Sequence, residues 1–156
     1  MKPLKITSPS FLDGEKIPEE FAGKKGKSPA LQVDDLSPSC QSIAIIMEQT
    51  DNPFHHPVVH WIIWNIPPMS FIPENIPHGP LVESLSNAQQ GVALGVNRYR
   101  GPKKGLLSIN EHQYAINVYA LDTMLDLIFS AEKQHLIKAM EGHVLQQGSL
   151  TFTYKK

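Results

Sequence analysis

The fold of this chain is decided by the run VVHWIIWNI at positions 58–66, which carries its strongest strand signal. β-branched and aromatic residues of this kind favour an extended, packed strand. Because side chains alternate along a strand, both faces of the run are largely apolar, and we predict a central strand of a packed sheet. Pro67-Pro68 ends it, since proline cannot donate to a β-ladder. Strict alternation puts His60, Ile62, Trp64 and Ile66 on one face and Val59, Trp61, Ile63 and Asn65 on the other.

Further strands are predicted on either side of this run. The apolar stretches 42–48 and 113–121 predict neighbouring or facing central strands, and SLTFTY at 149–154 alternates like a strand near the end of the chain. A single helix is predicted over about 131–147, where apolar residues recur at helical spacing. Ser130 is its expected N-cap and Gly148 its expected end. The long stretch 67–111 holds few regular signals, as is typical of a functional or partly structured excursion.

Composition limits the class of protein. The chain has 156 residues, 41% of them hydrophobic and 19% charged, so we expect one globular domain over 1–156. A formal net charge of −1 argues against a nucleic-acid binder. There is one cysteine, Cys40, which excludes an internal disulfide. No apolar run reaches signal-peptide length or the ~20 residues of a membrane span, so we expect a cytoplasmic protein without a transmembrane segment.

The seven histidines raise the question of a metal site. His55 and His56 precede the central strand, but Pro57 opposes a helix there, and the HExxH motif is absent. We therefore predict no bound metal and no cofactor. His60 has two interpretations: a core histidine satisfied by a backbone partner, which periodicity alone favours, or one side of a pocket. In the second, His112, with Tyr114 on the same face of its strand, supplies the other side, since imidazoles donate hydrogen bonds to phosphate oxygens.

Taken in order along the chain, several short motifs resemble those of the phosphatidylethanolamine-binding protein family, also called the Raf kinase inhibitor protein family, particularly its compact bacterial and archaeal branch. The resemblance covers most of the chain, and the order and spacing of the motifs make it specific. The matching motifs are FLDG at 11–14 with Ile17-Pro18, SPAL at 28–31, SIAIIME at 42–48, HWIIWNIP at 60–67, GPKKG at 101–105, HQY at 112–114 and VYALD at 118–122.

The resemblance implies a fold and a pocket. The fold is a mainly β sandwich of two antiparallel sheets with one or two peripheral helices. The pocket binds phosphate-type anions, and its implied residues are His60, Gly101, Pro102, His112, Tyr114 and Asp51, together with Gln49. Gln49 stands where the family has the first aspartate of its acidic turn, so we expect a less acidic pocket. Lys103 stands where the family usually has proline, and residues 106–111 lengthen the approach to His112.

Three functions follow as hypotheses. The first is a small-anion or phosphorylated-ligand binding protein with a regulatory or inhibitory role, with basic residues Arg98, Arg100, Lys103 and Lys104 steering anions. The second is inhibition of a kinase or protease partner through the same rim. The third, a hydrolase using His60 and His112, is disfavoured because no nucleophile motif accompanies the histidines. A homodimer is compatible with the sequence.

Overall fold

β-strands dominate the computed structural model, which describes residues 2–51, 57–103 and 111–155. Two single-turn 3₁₀ helices, Glu19–Phe21 and Glu83–Leu85, and one α-helix accompany the strands. The strands and the α-helix are β1 (Lys5–Thr7), β2 (Leu31–Asp34), β3 (Ser42–Gln49), β4 (Val58–Ile66), β5 (Phe71–Ile72), β6 (Leu81–Val82), β7 (Ala88–Gln90), β8 (Glu111–Leu121), α1 (Lys133–Met140) and β9 (Val144–Lys155).

The strands form two antiparallel sheets, which confirms the predicted architecture. The smaller sheet has the order β1-β2-β5, and the larger has the order β6-β7-β4-β3-β8-β9. The three most apolar runs therefore lie side by side as β4, β3 and β8, as predicted. Trp64, Ile62 and Ile45 are fully buried, also as predicted.

Two hydrophobic clusters explain why β3 and β4 are apolar on both faces. One cluster brings Ile45, Met47, Trp61 and Ile63 of the large sheet together with Leu31 and Val33 of the small sheet. The other lies on the opposite face, where Ile46, Ile62 and Trp64 pack under Leu136 and Met140 of α1. Burial on both sides removes more apolar surface from water than a half-exposed sheet would.

The predicted division of the β4 side chains between two faces was wrong at both ends of the strand. The pairing of β4 with β3 has an irregularity near each end. Met47 pairs with Trp61 while Glu48 pairs with Val59, so His60 is an extra residue in β4. Val59 consequently packs with the α1-side cluster, and His60 lies against Tyr114 of the inter-sheet cluster.

At the other end of β4, Asn65 adopts a left-handed φ of 59°. This turns Ile66 into the inter-sheet cluster instead of leaving it with Ile62 and Trp64. Asparagine tolerates this backbone region, and here its side chain exchanges two hydrogen bonds with the backbone of Leu125, at 2.8 and 2.9 Å.

The predicted helix is shorter than expected. It begins after Glu132, whose side chain forms a capping box with His135, so Ser130 is not its N-cap. It ends at Met140, and the chain reverses through Gly142 at a φ of 79°. Residues 144–147 and Gly148 belong to β9, because pairing along the whole of β8 satisfies more backbone groups than two further helical turns would.

No helix within the described residues is both long enough and apolar enough to cross a bilayer.

Candidate functional site

The predicted pocket residues gather at one end of the large sheet because β3 runs antiparallel to both of its neighbours. The end of β3 therefore meets the beginnings of β4 and β8: Gln49 pairs with Val58 on one side and with Tyr114 on the other. His60 and His112 each lie two residues from a partner of Gln49. Residues distant in sequence are thus brought to one sheet end by strand pairing alone.

A second segment, 99–102, closes the site from the side by docking on residues 21–23. Gly101 N–H donates to the Gly23 carbonyl at 3.1 Å, and Gly23 N–H donates to the Pro102 carbonyl at 2.8 Å. The Tyr99 hydroxyl donates to the Phe21 carbonyl at 2.7 Å. A Cβ on Gly101 would lie 2.0 Å from the Phe21 carbonyl oxygen, so only glycine permits this approach.

These elements enclose an open cavity of about 680 Å³, which we call the anion pocket after the ligand expected from the sequence. Three of the predicted site residues line it: Gln49, His60 and Gly101. The described residues that line it are Gly23, Lys24, Gln49, Val58, His60, Leu94, Arg100, Gly101 and Lys103.

The remaining predicted residues are not among the described residues that line this cavity. Pro102 and Tyr114 are buried. His112 and Asp51 contact the Gln49 side chain. His112 is thus joined to the pocket through Gln49, whereas His60 is itself a lining residue.

Gln49 links the two side chains beside it. Its Nε2 lies 3.2 Å from Asp51 Oδ1 and 3.2 Å from His112 Nδ1. An amide nitrogen is only a donor, so with this amide orientation His112 Nδ1 accepts and its hydrogen resides on Nε2. His112 Nδ1 is also 3.4 Å from Asp51 Oδ1, which would accept a hydrogen bond from a protonated ring. The glutamine therefore bridges Asp51 and His112 without adding a negative charge.

His60 combines the two interpretations given to it from sequence. It is 3% exposed, and its Nδ1 lies 2.9 Å from the Arg100 carbonyl, so Nδ1 carries the hydrogen. Its ring meets the Tyr114 ring edge-on, with centroids 5.5 Å apart. In the neutral ring Nε2 is therefore the acceptor nitrogen.

Tyr114 lies beneath the site in an unusually apolar position. Its ring stacks on Phe152 with centroids 5.1 Å apart, and its hydroxyl has no hydrogen-bond partner among the described residues. Burial raises the pKa of Tyr114 to about 12, with further contributions from the charge of Asp51 and from Tyr154. The phenol is therefore neutral at physiological pH.

The charge of the lining is the feature that sequence reasoning identified only in part. Arg100 and Lys103 belong to the predicted steering cluster, whereas Lys24 does not. Lys24 is exposed, yet it lies at the pocket because Arg98 Nη1 donates to its carbonyl at 3.3 Å. Lys104 lies outside the described residues. No local signal in the sequence connects position 24 to position 100.

No group of three or more histidine, cysteine or acidic side chains is placed to hold a metal ion within the described part of the chain.

Comparison with known proteins identifies the family. The model of the family described as phosphatidylethanolamine-binding protein matches residues 7–155. This chain belongs to the phosphatidylethanolamine-binding protein family. Its relatives include a UPF0098 protein from Pyrococcus horikoshii, which is 38% identical in an alignment that covers 98% of this chain and 77% of the relative. Another, from Archaeoglobus fulgidus, is 35% identical over 99% of this chain, which spans only 52% of that relative's length.

Solved structures of the phosphatidylethanolamine-binding protein family have the same fold. A Chlamydia trachomatis protein described as a homologue of phosphatidylethanolamine-binding protein superposes with a TM-score of 0.82 at 27% identity, covering 99% of this chain and 98% of that one. Escherichia coli YbcL, described as a member of the mammalian family, gives a TM-score of 0.83 at 21% identity and 99% coverage of each chain. At 21% identity, the similarity to YbcL shows only that the two chains share a fold.

Proposed function

We propose that this protein binds a small anion, of phosphate or carboxylate type, in the anion pocket. The observation that carries the proposal is the charge of the lining: Lys24, Arg100 and Lys103 are cationic, and no carboxylate is among the described lining residues. A concave site of one sign concentrates ligands of the opposite sign and raises their association rate. The name of the family, with its phosphorylated lipid, supports a phosphorylated ligand for this member.

His60 gives the proposed site a fixed wall. Its Nδ1–H donates to the Arg100 carbonyl at 2.9 Å, which holds the imidazole against the backbone of one cationic lining residue.

Isothermal titration of the whole protein with phosphate, phosphoethanolamine and acetate tests the proposal. Lys24→Gln should weaken binding about two- to fivefold, as expected for loss of one exposed charge. Lys25→Gln is the matched control, because Lys25 is the exposed neighbour with the same charge and does not line the pocket. Equal affinities for wild type and Lys24→Gln, or no binding of any of the three anions at millimolar concentration, would contradict the proposal.

We further propose that the pocket binds its ligand without chemical turnover. None of the described lining residues is serine, threonine or cysteine, so an activated hydroxyl or thiol nucleophile would have to come from elsewhere. A hydrolysis screen with aryl phosphates and aryl esters tests this point. Turnover lost in His60→Ala would establish the enzyme hypothesis instead.

Inhibition of a kinase or protease through the same rim is the second candidate function. The observation in its favour is that Lys24, Leu94 and Lys103 are exposed at the pocket mouth, where a partner could touch them together with a bound anion. A panel of kinases and serine proteases assayed with this protein, with and without saturating phosphate, tests it. Inhibition that phosphate changes is the expected result, and a panel without inhibition would remove this candidate.

A further inference from the structure

The orientation of the Gln49 amide is fixed by its neighbours. The residue is 6% exposed, and its backbone pairs with Val58 on one side and with Tyr114 on the other. Its Nε2 lies 3.2 Å from Asp51 Oδ1 and 3.2 Å from His112 Nδ1. The opposite amide orientation would place Oε1 at 3.2 Å from that carboxylate oxygen, which sets one acceptor against another. Both amide hydrogens are therefore committed, and the atom that remains for a ligand is the neutral acceptor Oε1.

No carboxylate belongs to the described lining of the anion pocket. That lining contains three cationic residues and no acidic one. The neighbouring carboxylate, that of Asp51, has Oδ1 engaged by Gln49 Nε2. The stretches 52–56 and 104–110, which lie outside the described residues, contain no aspartate or glutamate. An amide therefore stands at this sheet end, where an acid of similar size would have given the lining a negative charge.

The charge at position 49 bears on which oxyanion the pocket accepts. At pH 8 phosphate is a dianion that keeps one hydrogen, because its second pKa is about 6, whereas sulfate is a dianion without one. A carboxylate in the lining accepts the hydrogen of phosphate and repels sulfate, so it selects phosphate. A neutral amide oxygen accepts the same hydrogen more weakly and lacks the full charge that repels sulfate.

We propose that Gln49 determines the specificity of the anion pocket and admits sulfate about as readily as phosphate. This inference rests on the proposed anion binding and extends the ligands of the pocket to an oxyanion that carries no proton. Lys24, Arg100 and Lys103 supply the attraction for either dianion. Gln49 supplies a contact that does not discriminate against the anion without a hydrogen.

The first test is isothermal titration of the whole protein with sodium sulfate and with sodium phosphate, at pH 8 and equal ionic strength. The two dianions have the same shape and charge and differ by one proton. The sulfate affinity is expected to be no less than about one-fifth of the phosphate affinity. If phosphate binds and the sulfate affinity falls below that fraction, the inference is wrong and the anion pocket stands. If neither anion binds, both proposals fail.

Gln49→Glu tests the residue itself. The new carboxylate is ionised at pH 8 and can accept the hydrogen of phosphate. One charge-assisted hydrogen bond changes affinity by roughly tenfold or more, so the ratio of sulfate to phosphate affinity should fall by at least about tenfold. Circular dichroism checks that the variant is folded.

Gln113→Glu is the matched control. It makes the same change of charge at an exposed residue of β8, next to His112, that does not line the anion pocket. Its ratio of sulfate to phosphate affinity should equal that of wild type. An unchanged ratio in folded Gln49→Glu, or an equal fall in Gln113→Glu, would show that Gln49 is not the determinant.

Gln49→Leu separates the effect of charge from that of hydrogen bonding, and it serves also if Gln49→Glu does not fold. Leucine removes the amide and adds no charge, so phosphate loses an acceptor while sulfate meets no new repulsion. The ratio of sulfate to phosphate affinity should therefore stay at the wild-type value or rise. A fall in this ratio would overturn the inference, because the lack of charge at position 49 would then not be what admits sulfate.

Discussion

Gly101→Ala tests how the wall of the anion pocket is built. The added Cβ would lie 2.0 Å from the Phe21 carbonyl oxygen and 2.7 Å from Ala22 Cα, both backbone atoms that cannot rotate away. Ordinary contact begins near 3.4 Å, so the two segments must separate by about 1.4 Å. That movement weakens the reciprocal hydrogen bonds between Gly23 and the 101–102 segment.

The expected cost follows from these contacts. Two backbone hydrogen bonds contribute about 1 kcal/mol each, and overpacking costs about 1–3 kcal/mol, so we expect the free energy of unfolding to fall by about 3–5 kcal/mol when both bonds are lost. Urea denaturation with an unchanged m-value measures it. Phosphate affinity should fall as well, because Lys103 and Arg100 move with the segment.

Gly142→Ala is the control for Gly101→Ala. At Gly142 a Cβ would meet nothing within 4 Å, so the cost there is only that of its φ of 79°, about 1 kcal/mol. A Gly101→Ala protein less than about 0.5 kcal/mol below wild type, with unaltered phosphate binding, would refute the steric reasoning.

Three further predictions concern the core, the tyrosines and metals. Trp64→Ala should lower the free energy of unfolding by about 3–5 kcal/mol, since Trp64 is 0% exposed. Trp64→Phe should lower it less, because Trp64 Nε1 has no partner among the described residues. Chemical denaturation measures both changes. Burial raises the pKa of Tyr114 and Tyr154 to about 12, above the ordinary value of about 10, so the folded state holds these protons more tightly than the unfolded chain. The resulting stability is complete below about pH 10 and is lost as the pH rises toward about 12, and Tyr114→Phe should flatten that loss in urea denaturation at several alkaline pH values. Elemental analysis of untagged protein should find less than about one-tenth of an equivalent of any metal, and one zinc per chain would contradict the prediction.

Sequence reasoning reached the pocket through β-strand pattern and family resemblance together. The runs that became β3, β4 and β8 were recognisable because each is apolar over its whole length, which is what burial on both faces requires. Their pairing then placed Gln49, His60 and His112 at one sheet end. The charged lining was harder to predict from the sequence, because Lys24 reaches the cavity through contacts between residues 98–102 and residues 21–24.

Local patterns failed where tertiary contacts overrode them. The helical spacing of apolar residues over 131–147 predicted a helix that continues past Val144. The chain instead forms β9 there, because β9 pairs with eleven positions of β8. Periodicity likewise misplaced His60 and Ile66, because two irregularities in β4 shift the alternation by one residue at each end. Single residues do not predict a bulge, because a bulge depends on the pairing register of two strands.

By itself, the sequence of this phosphatidylethanolamine-binding protein family member determined which segments are buried and which side chains carry charge or a titratable ring, since these depend on composition and short spacing. Tertiary structure alone decided which of those side chains share a cavity. It brought Lys24 into the same cavity as Arg100. Cavities arise from contacts between distant segments, and the geometry of such contacts is fixed only when strands pair and loops dock.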